Sequence, residues 1–240
     1  TFSDVTRAAH LWKVLHAMGA NFGDLDNDGF LDFYVATGDP DLSTLVPNRM
    51  FRNADGRFFQ EVTTSGGFGH LQKGHAVSFG DLDNDGDQDI YEVIGGAYSG
   101  DHHRNVLFEN PGHGHHWITL KLEGVQSNRA ALGARIKVVV QTERGARAIY
   151  KTVSTGGSFG ASPLRQEIGL GAAQSIQAVE IFWPRTGQTQ ILKGLALDRF
   201  YRVREGDVAA VPVELKTFKM TRLANQVSQA GPGQPANPSH

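Results

Sequence analysis

Gly23-Asp24-Leu25-Asp26-Asn27-Asp28-Gly29-Phe30-Leu31-Asp32 and Gly80-Asp81-Leu82-Asp83-Asn84-Asp85-Gly86-Asp87-Gln88-Asp89 are one loop written twice, 57 residues apart. Each copy sets aspartates at loop positions 1, 3, 5 and 9 and a glycine at position 6. Carboxylates crowded into so short a segment repel one another. A like-charged pair at about 4 Å costs about 4 kcal/mol at an effective dielectric near 20. Such a loop opens unless a cation cancels the charge. A hard divalent cation does so, and Ca²⁺ suits the loop best, because it takes about six to eight oxygen ligands in flexible geometry. Glycine lets the chain turn sharply enough to fold the ligands inward. The bland alternative is a solvated acidic turn. The repetition of the same four aspartates and the same glycine argues against it.

The first nine positions also fit an EF-hand loop, but the flanks do not. An EF-hand sits between helices and closes with a bidentate Glu at position 12. Here Ala76-Val77-Ser78-Phe79 precedes the second loop and Ile90-Tyr91-Glu92-Val93-Ile94 follows it. These segments are short, β-branched and aromatic, and read as strands. Glu92 falls at position 12, but its counterpart in the first copy is Val35, so Glu92 is read as coincidental, the alternative being an added ligand at the second site only.

The 57-residue period extends beyond the loops. Thr1-Phe2-Ser3-Asp4-Val5-Thr6 matches Phe58-Phe59-Gln60-Glu61-Val62-Thr63, and Asn48-Arg49-Met50-Phe51-Arg52-Asn53 matches Asn105-Val106-Leu107-Phe108-Glu109-Asn110. Several short strands per unit at this period mean a propeller blade or a related array. Each unit reads as strand, loop, strand, connection, strand, turn at Ala54-Asp55-Gly56, strand. Leu11, Trp12, Val14, Leu15 and Met18 have helical spacing, but Gly19 and the repeat alignment favour an irregular connection there.

This pattern resembles the FG-GAP/VCBS repeat, the calcium-loop blade of integrin-like β-propellers, over residues 1 to about 110. The resemblance implies two Ca²⁺ sites. Asp24, Asp26, Asp28 and Asp32 would be ligands in one, Asp81, Asp83, Asp85 and Asp89 in the other. The backbone carbonyls of Phe30 and Asp87 would add position 7. Fewer than two complete blades are present, whereas a closed propeller needs about four to eight.

From Trp117 the period becomes two. Ile118, Leu120 and Leu122, then Ile136, Val138 and Val140, then Val179, Ile181 and Trp183 alternate with other residues, and Phe200-Tyr201-Arg202-Val203 ends the series. Alternation buries one face of each strand. Turn signals such as Pro184-Arg185-Thr186-Gly187 between such strands predict an antiparallel β-sandwich. His116-Trp117, Ser127-Asn128-Arg129, Gly133-Ala134-Arg135, Ser154-Thr155-Gly156-Gly157, Gly169-Leu170-Gly171, Trp183-Pro184 and Glu205-Gly206 are similar, in order, to the ASPIC/UnbV domain. That domain commonly follows FG-GAP/VCBS repeats in secreted proteins similar to cartilage acidic protein. Phe159-Gly160-Ala161-Ser162 departs from the Ser-Gln pair usual in that family. The expected fold class is therefore all-β: partial propeller-like blades over residues 1–114, a β-sandwich over 115–206, and over 207–240 a C-terminal strand within Val211–Met220 followed by a Pro/Gly-rich tail.

The remaining features bound function. Forty per cent of the 240 residues are hydrophobic, enough for a substantial core. A net charge of −2 offers no electrostatic case for nucleic acid, and no apolar run is long enough to span a bilayer. Cysteine is absent, so disulfides, thiolate metal sites and thiol nucleophiles are excluded. The start at Thr1 rather than Met reads as a processed chain or an excerpt of a longer one. The histidines of Asp101-His102-His103 and His113-Gly114-His115-His116 could ligate zinc or copper, but no carboxylate or Cys partner has ligand spacing, and a polar loop is favoured. There is no Gly-x-Ser-x-Gly elbow. Gly156-Gly157-Ser158-Phe159-Gly160 lacks the lysine of a phosphate loop, and no Asn-x-Ser/Thr glycosylation sequon occurs with x other than Pro. The expectation is a non-enzymatic, calcium-binding adhesion or interaction module, extracellular or at the cell surface, whose partner is a protein or a glycan. The alternative is a structural subunit of an extracellular fibre that pairs with copies of itself through strand edges, the segment 211–220 supplying the pairing strand.

Overall fold

The computed structural model describes residues 1–38, 46–96, 99–100, 103–154 and 156–220, and among these the chain forms fifteen strands and no helix. The first repeat folds as an antiparallel sheet, β1 (Ala17–Gly23), β2 (Asp32–Thr37), β3 (Arg49–Ala54) and β4 (Phe58–Glu61), in the order β1-β2-β3-β4. The second repeat gives β5 (Gly74–Gly80), β6 (Asp89–Ile94) and β7 (Val106–Phe108), in the order β5-β6-β7. Each acidic loop is the connection of a hairpin. Gly23 pairs with Asp32 across one, and Gly80 with Asp89 across the other. Strands thus flank both loops, and an EF-hand is ruled out. The segment with helical spacing before β1 contains turns over 6–10 and no helix.

The two sheets stack through one small core. Leu25, Tyr34, Ala36 and Met50 of the first repeat meet Val77, Phe79 and Ile90 of the second. Glu92 is buried there on β6. Its Oε2 lies 3.0 Å from the Tyr34 hydroxyl, which also lies 2.9 Å from the Phe68 carbonyl. One phenolic hydrogen cannot serve both acceptors. A protonated Glu92 that donates to Tyr34, which in turn donates to Phe68, satisfies both contacts, and burial does push the Glu92 carboxyl up to about 7. Glu92 therefore ties two repeats together, a role that the sequence reading did not give it.

Two further sheets face each other to form a sandwich. One runs β10 (Gly145–Thr152), β9 (Arg135–Thr142), β12 (Ser175–Trp183), β13 (Gln188–Leu192). The other runs β11 (Gln166–Gly171), β8 (His116–Glu123), β14 (Arg199–Arg204), β15 (Val211–Val213). The alternating residues singled out in the sequence are its core: Ile118, Leu120, Ile136, Val138, Val140, Val179, Ile181 and Trp183 are buried together. Each such side chain is worth about 1.5–3 kcal/mol relative to exposure. Trp183 keeps its indole N–H satisfied by donating to Gln190 Oε1 at 2.8 Å. All pairings are antiparallel except one, in which β14 runs parallel to β8. Strands β10 and β11 carry no clean alternation in sequence: β10 is an edge strand, and β11 is buried along its whole length.

The C-terminal strand forms over Val211–Val213 only and pairs with β14 of its own sandwich, as the edge strand of that sheet. Beyond it, Asn84 donates to the Lys216 carbonyl at 3.2 Å and Thr217 Oγ1 to the Asn84 carbonyl at 2.9 Å, pinning the chain to the second acidic loop. The Pro/Gly-rich stretch at 231–238 lies outside the described residues.

Candidate metal centre

The two acidic loops are wired identically. In the first, the Asp28 and Gly29 amides donate to the two oxygens of Asp24 at 3.0 and 2.9 Å. In the second, Asp85 and Gly86 donate to the two oxygens of Asp81 at 3.1 and 3.2 Å. Position 5 repeats too: Phe30 N donates to Asp28 Oδ1 at 2.8 Å, and Asp87 N to Asp85 Oδ1 at 3.0 Å. Asn27 and Asn84 take φ of 54° and 62°, and Gly29 and Gly86 take 86° and 97°. Asparagine tolerates the left-handed region and glycine enters it freely, so the Asn-Asp-Gly order permits this coil.

The structure brings Asp24, Asp26 and Asp28 together, and likewise Asp81, Asp83 and Asp85, with one ligand oxygen from each of the three lying within 4.8 Å of the others. Asp32 and Asp89 are used differently. Both oxygens of Asp32 accept backbone N–H groups, from Leu25 at 2.7 Å and Asn53 at 2.6 Å. Asp89 does the same with Leu82 at 3.0 Å and Asn110 at 2.9 Å. The position-9 aspartate thus clamps the loop to the third strand of its sheet in the first repeat and to the residues just after it in the second, and the last Asn of Asn-x-x-Phe-x-Asn supplies the clamping amide. At position 7, the Phe30 ring lies under the Arg147 guanidinium, 4.5 Å from its centroid, while the Asp87 side chain accepts from Asn27 Nδ2 at 2.8 Å.

The electrostatics are strained without a cation. Burial, reinforced by the Asp32 and Asp28 charges, raises the Asp24 carboxyl well above its ordinary range. Burial likewise pushes Asp32 and Asp81 up to about 7 and Asp89 up to about 6. Arg52 compensates in part, with Nε 2.5 Å from Asp26 Oδ2. Among the described residues three buried carboxylate oxygens have no hydrogen-bond partner: Glu92 Oε1 between the repeats, and Asp26 Oδ1 and Asp83 Oδ1, which belong to the position-3 carboxylates of the two loops. A buried anionic oxygen with no partner is costly. Its recurrence at equivalent atoms of both loops is what a cation liganded there would satisfy. All the grouped donors are oxygens, which fits a hard cation.

A pH dependence follows. The folded, cation-free loops bind protons more tightly than the unfolded chain, whose aspartates titrate near about 3.9. Their contribution to stability is fully present below that pH and is lost as pH rises through about 6–7. Calcium-stripped protein should therefore melt lower at pH 7.5 than at pH 5, measured by calorimetry. With saturating calcium the trend should reverse, since protons no longer compete. A stripped protein whose melting point climbs across this range would contradict it.

Sequence reasoning missed the residues that join the loops. Asn27 Nδ2 donates to the Gly86 carbonyl at 3.0 Å. Gln88 accepts from Asp24 N at 2.7 Å and donates to Glu167 Oε2 at 2.6 Å, and Glu167 Oε1 accepts from Asp81 N at 3.2 Å. One carboxylate on β11 thus holds the entry of both loops. Arg165 donates to the Asp81 carbonyl and to Glu167 Oε1. His115 donates from Nδ1 to the Asp26 carbonyl at 2.6 Å, and His116 to Asp198 Oδ2 at 2.7 Å, so these two histidines buttress the fold. His102 lies outside the described residues. The Gly156–Ser162 stretch plugs the innermost strands: Ala20 and Ser158 exchange both backbone bonds, and Ser78 Oγ donates to the Ala161 carbonyl.

A search among curated proteins finds no match. Two family descriptions match the chain, FG-GAP-like repeat over residues 24–92 and ASPIC and UnbV over residues 124–210. The first span contains both acidic loops, and the second contains most of the sandwich, Glu167 included. The chain carries an FG-GAP-like repeat region followed by an ASPIC and UnbV domain.

Proposed function

We propose that this chain is a calcium-stabilised, non-enzymatic interaction module that works outside the cell, with one Ca²⁺ in each acidic loop. The observation that carries this reading is the pair of unpartnered buried oxygens, Asp26 Oδ1 and Asp83 Oδ1, at the same position of both loops. Asp24, Asp26 and Asp28 would hold one ion, and Asp81, Asp83 and Asp85 the other, with the carbonyls of Phe30 and Asp87 available at position 7. Ca²⁺ is favoured over Mg²⁺ because two loops of flexible carboxylates suit a large, irregular oxygen shell better than a strict octahedron. Extracellular calcium keeps such loops filled, and a cysteine-free chain needs no disulfide to be stable there. The ion's part is to stiffen the loops against the sandwich. No helix among the described residues is long and apolar enough to cross a membrane.

Titration calorimetry tests this directly. Two calcium ions per chain are expected, and Asp83→Asn should leave one. Absence of binding heat at millimolar calcium would overturn the assignment.

A further inference from the structure

Each acidic loop reaches into the other with one side chain. Asn27, at position 4 of the first loop, donates from Nδ2 to the Gly86 carbonyl at 3.0 Å and to Asp87 Oδ1 at 2.8 Å in the second. Gln88, at position 8 of the second loop, accepts the Asp24 amide of the first at 2.7 Å. Both residues are buried, at 2% and 3% exposure, so water does not compete for these bonds. The equivalent positions do other things. Asn84, the counterpart of Asn27, bonds to the Lys216 carbonyl and accepts from Arg165 Nη1. The counterpart of Gln88 is Leu31, which has no polar group.

Each of these bonds ends beside a carboxylate that would hold an ion. Asn27 stands between Asp26 and Asp28, Gly86 follows Asp85, and Asp24 is itself one of the grouped donors. Asp87 carries the position-7 carbonyl. Asn27 makes its reach from the left-handed turn of the closed loop, at φ 54°. An empty loop is pushed open by its own charge. Opening the first withdraws the Asn27 amide from the second loop and the Asp24 amide from Gln88. Closing one loop therefore holds part of the other in its closed shape, and the ordering that a second ion would otherwise have to impose is already in place.

We infer that Asn27 and Gln88 are positioning residues that make the two loops fill with calcium cooperatively, each filled loop raising the affinity of the other. This rests on the calcium reading and deepens it. The sign of the coupling separates these bonds from plain electrostatics. Two divalent cations in neighbouring loops repel each other through space, which by itself makes the second bind more weakly. Positive coupling needs a link between the two closed shapes, and by linkage it has the same size in both directions.

Calcium titration of the full chain tests this. Asp83→Asn leaves only the first loop and Asp26→Asn only the second, so the two variants give the single-loop association constants. In the reference chain the product of the two stepwise constants should exceed the product of the single-loop constants about tenfold, within the usual range of coupling between sites. With Asn27→Gly and Gln88→Leu added to all three chains, the ratio should fall to unity. Glycine accepts the Asn27 backbone, and leucine is what the first loop carries at the position of Gln88. If that pair does not melt cooperatively, Asn27→Gly alone takes its place and should lower the ratio by about threefold or more. Asn84→Gly, the same change at the other loop, should leave the ratio where it was. A ratio at or below unity in the reference chain overturns the inference while leaving two filled loops in place. So does a ratio that the Asn27 and Gln88 substitutions do not move, or that Asn84→Gly lowers as much. Absence of binding heat in every chain overturns the calcium reading itself, and this inference with it.

Discussion

Stripping calcium is expected to lower the melting temperature by about 10–20 °C. At a hundredfold excess over Kd, a ligand that binds only the native state adds about 2.7 kcal/mol per site. Two loops then contribute about 5 kcal/mol together. For a chain of this size, 1 kcal/mol corresponds to about 2–4 °C. The same physics gives Asp83→Asn a signature that ordinary damage would not have. Asp83 is in no ion pair among the described residues, and its carboxyl is raised by burial first and by the Asp85 charge second. Neutralising it removes repulsion from the cation-free loop and a ligand from the loaded one. The variant should melt at or above the reference temperature without calcium and several degrees below it with calcium. Scanning calorimetry in both conditions checks this. A loss of equal size in both would mean that Asp83 is merely structural.

Gly86→Ala is expected to cost on the order of 3 kcal/mol or more, and to cost it with and without calcium. Gly86 sits at φ 97°, where a side chain is strained, and a Cβ there would fall inside the Trp117 ring. Trp117 opens β8 and leans on Phe200, with ring centroids 4.8 Å apart, so it has little room to withdraw. The substitution therefore separates the second loop from the sandwich. The expected drop is about 6–12 °C in melting temperature, accompanied by weaker calcium binding at the second site only. A melting point within 2 °C or so of the reference would show that loop and sandwich do not bear on each other there.

The sequence by itself determined the hairpin loops, the repeat and the sandwich core. These are local or periodic properties. Aspartate spacing and the Asn-Asp-Gly turn act within ten residues, and alternation at Ile118, Val138 and Ile181 reflects a pleat of period two. What it left open was pairing at long range. That β14 runs parallel to β8, that Val211–Val213 closes its own sheet, and that Asp32 and Asp89 clamp backbone amides are decided by which groups meet after the chain has crossed the molecule. Glu167, Gln88 and Asn27 show the reason most plainly. Each is an ordinary polar residue in its local context, and each becomes part of the acidic centre only because the repeats pack on the sandwich, where Gln88 and Glu167 accept the amides of Asp24 and Asp81. Only the tertiary structure brings together two loops 57 residues apart into one buried, hydrogen-bonded acidic centre.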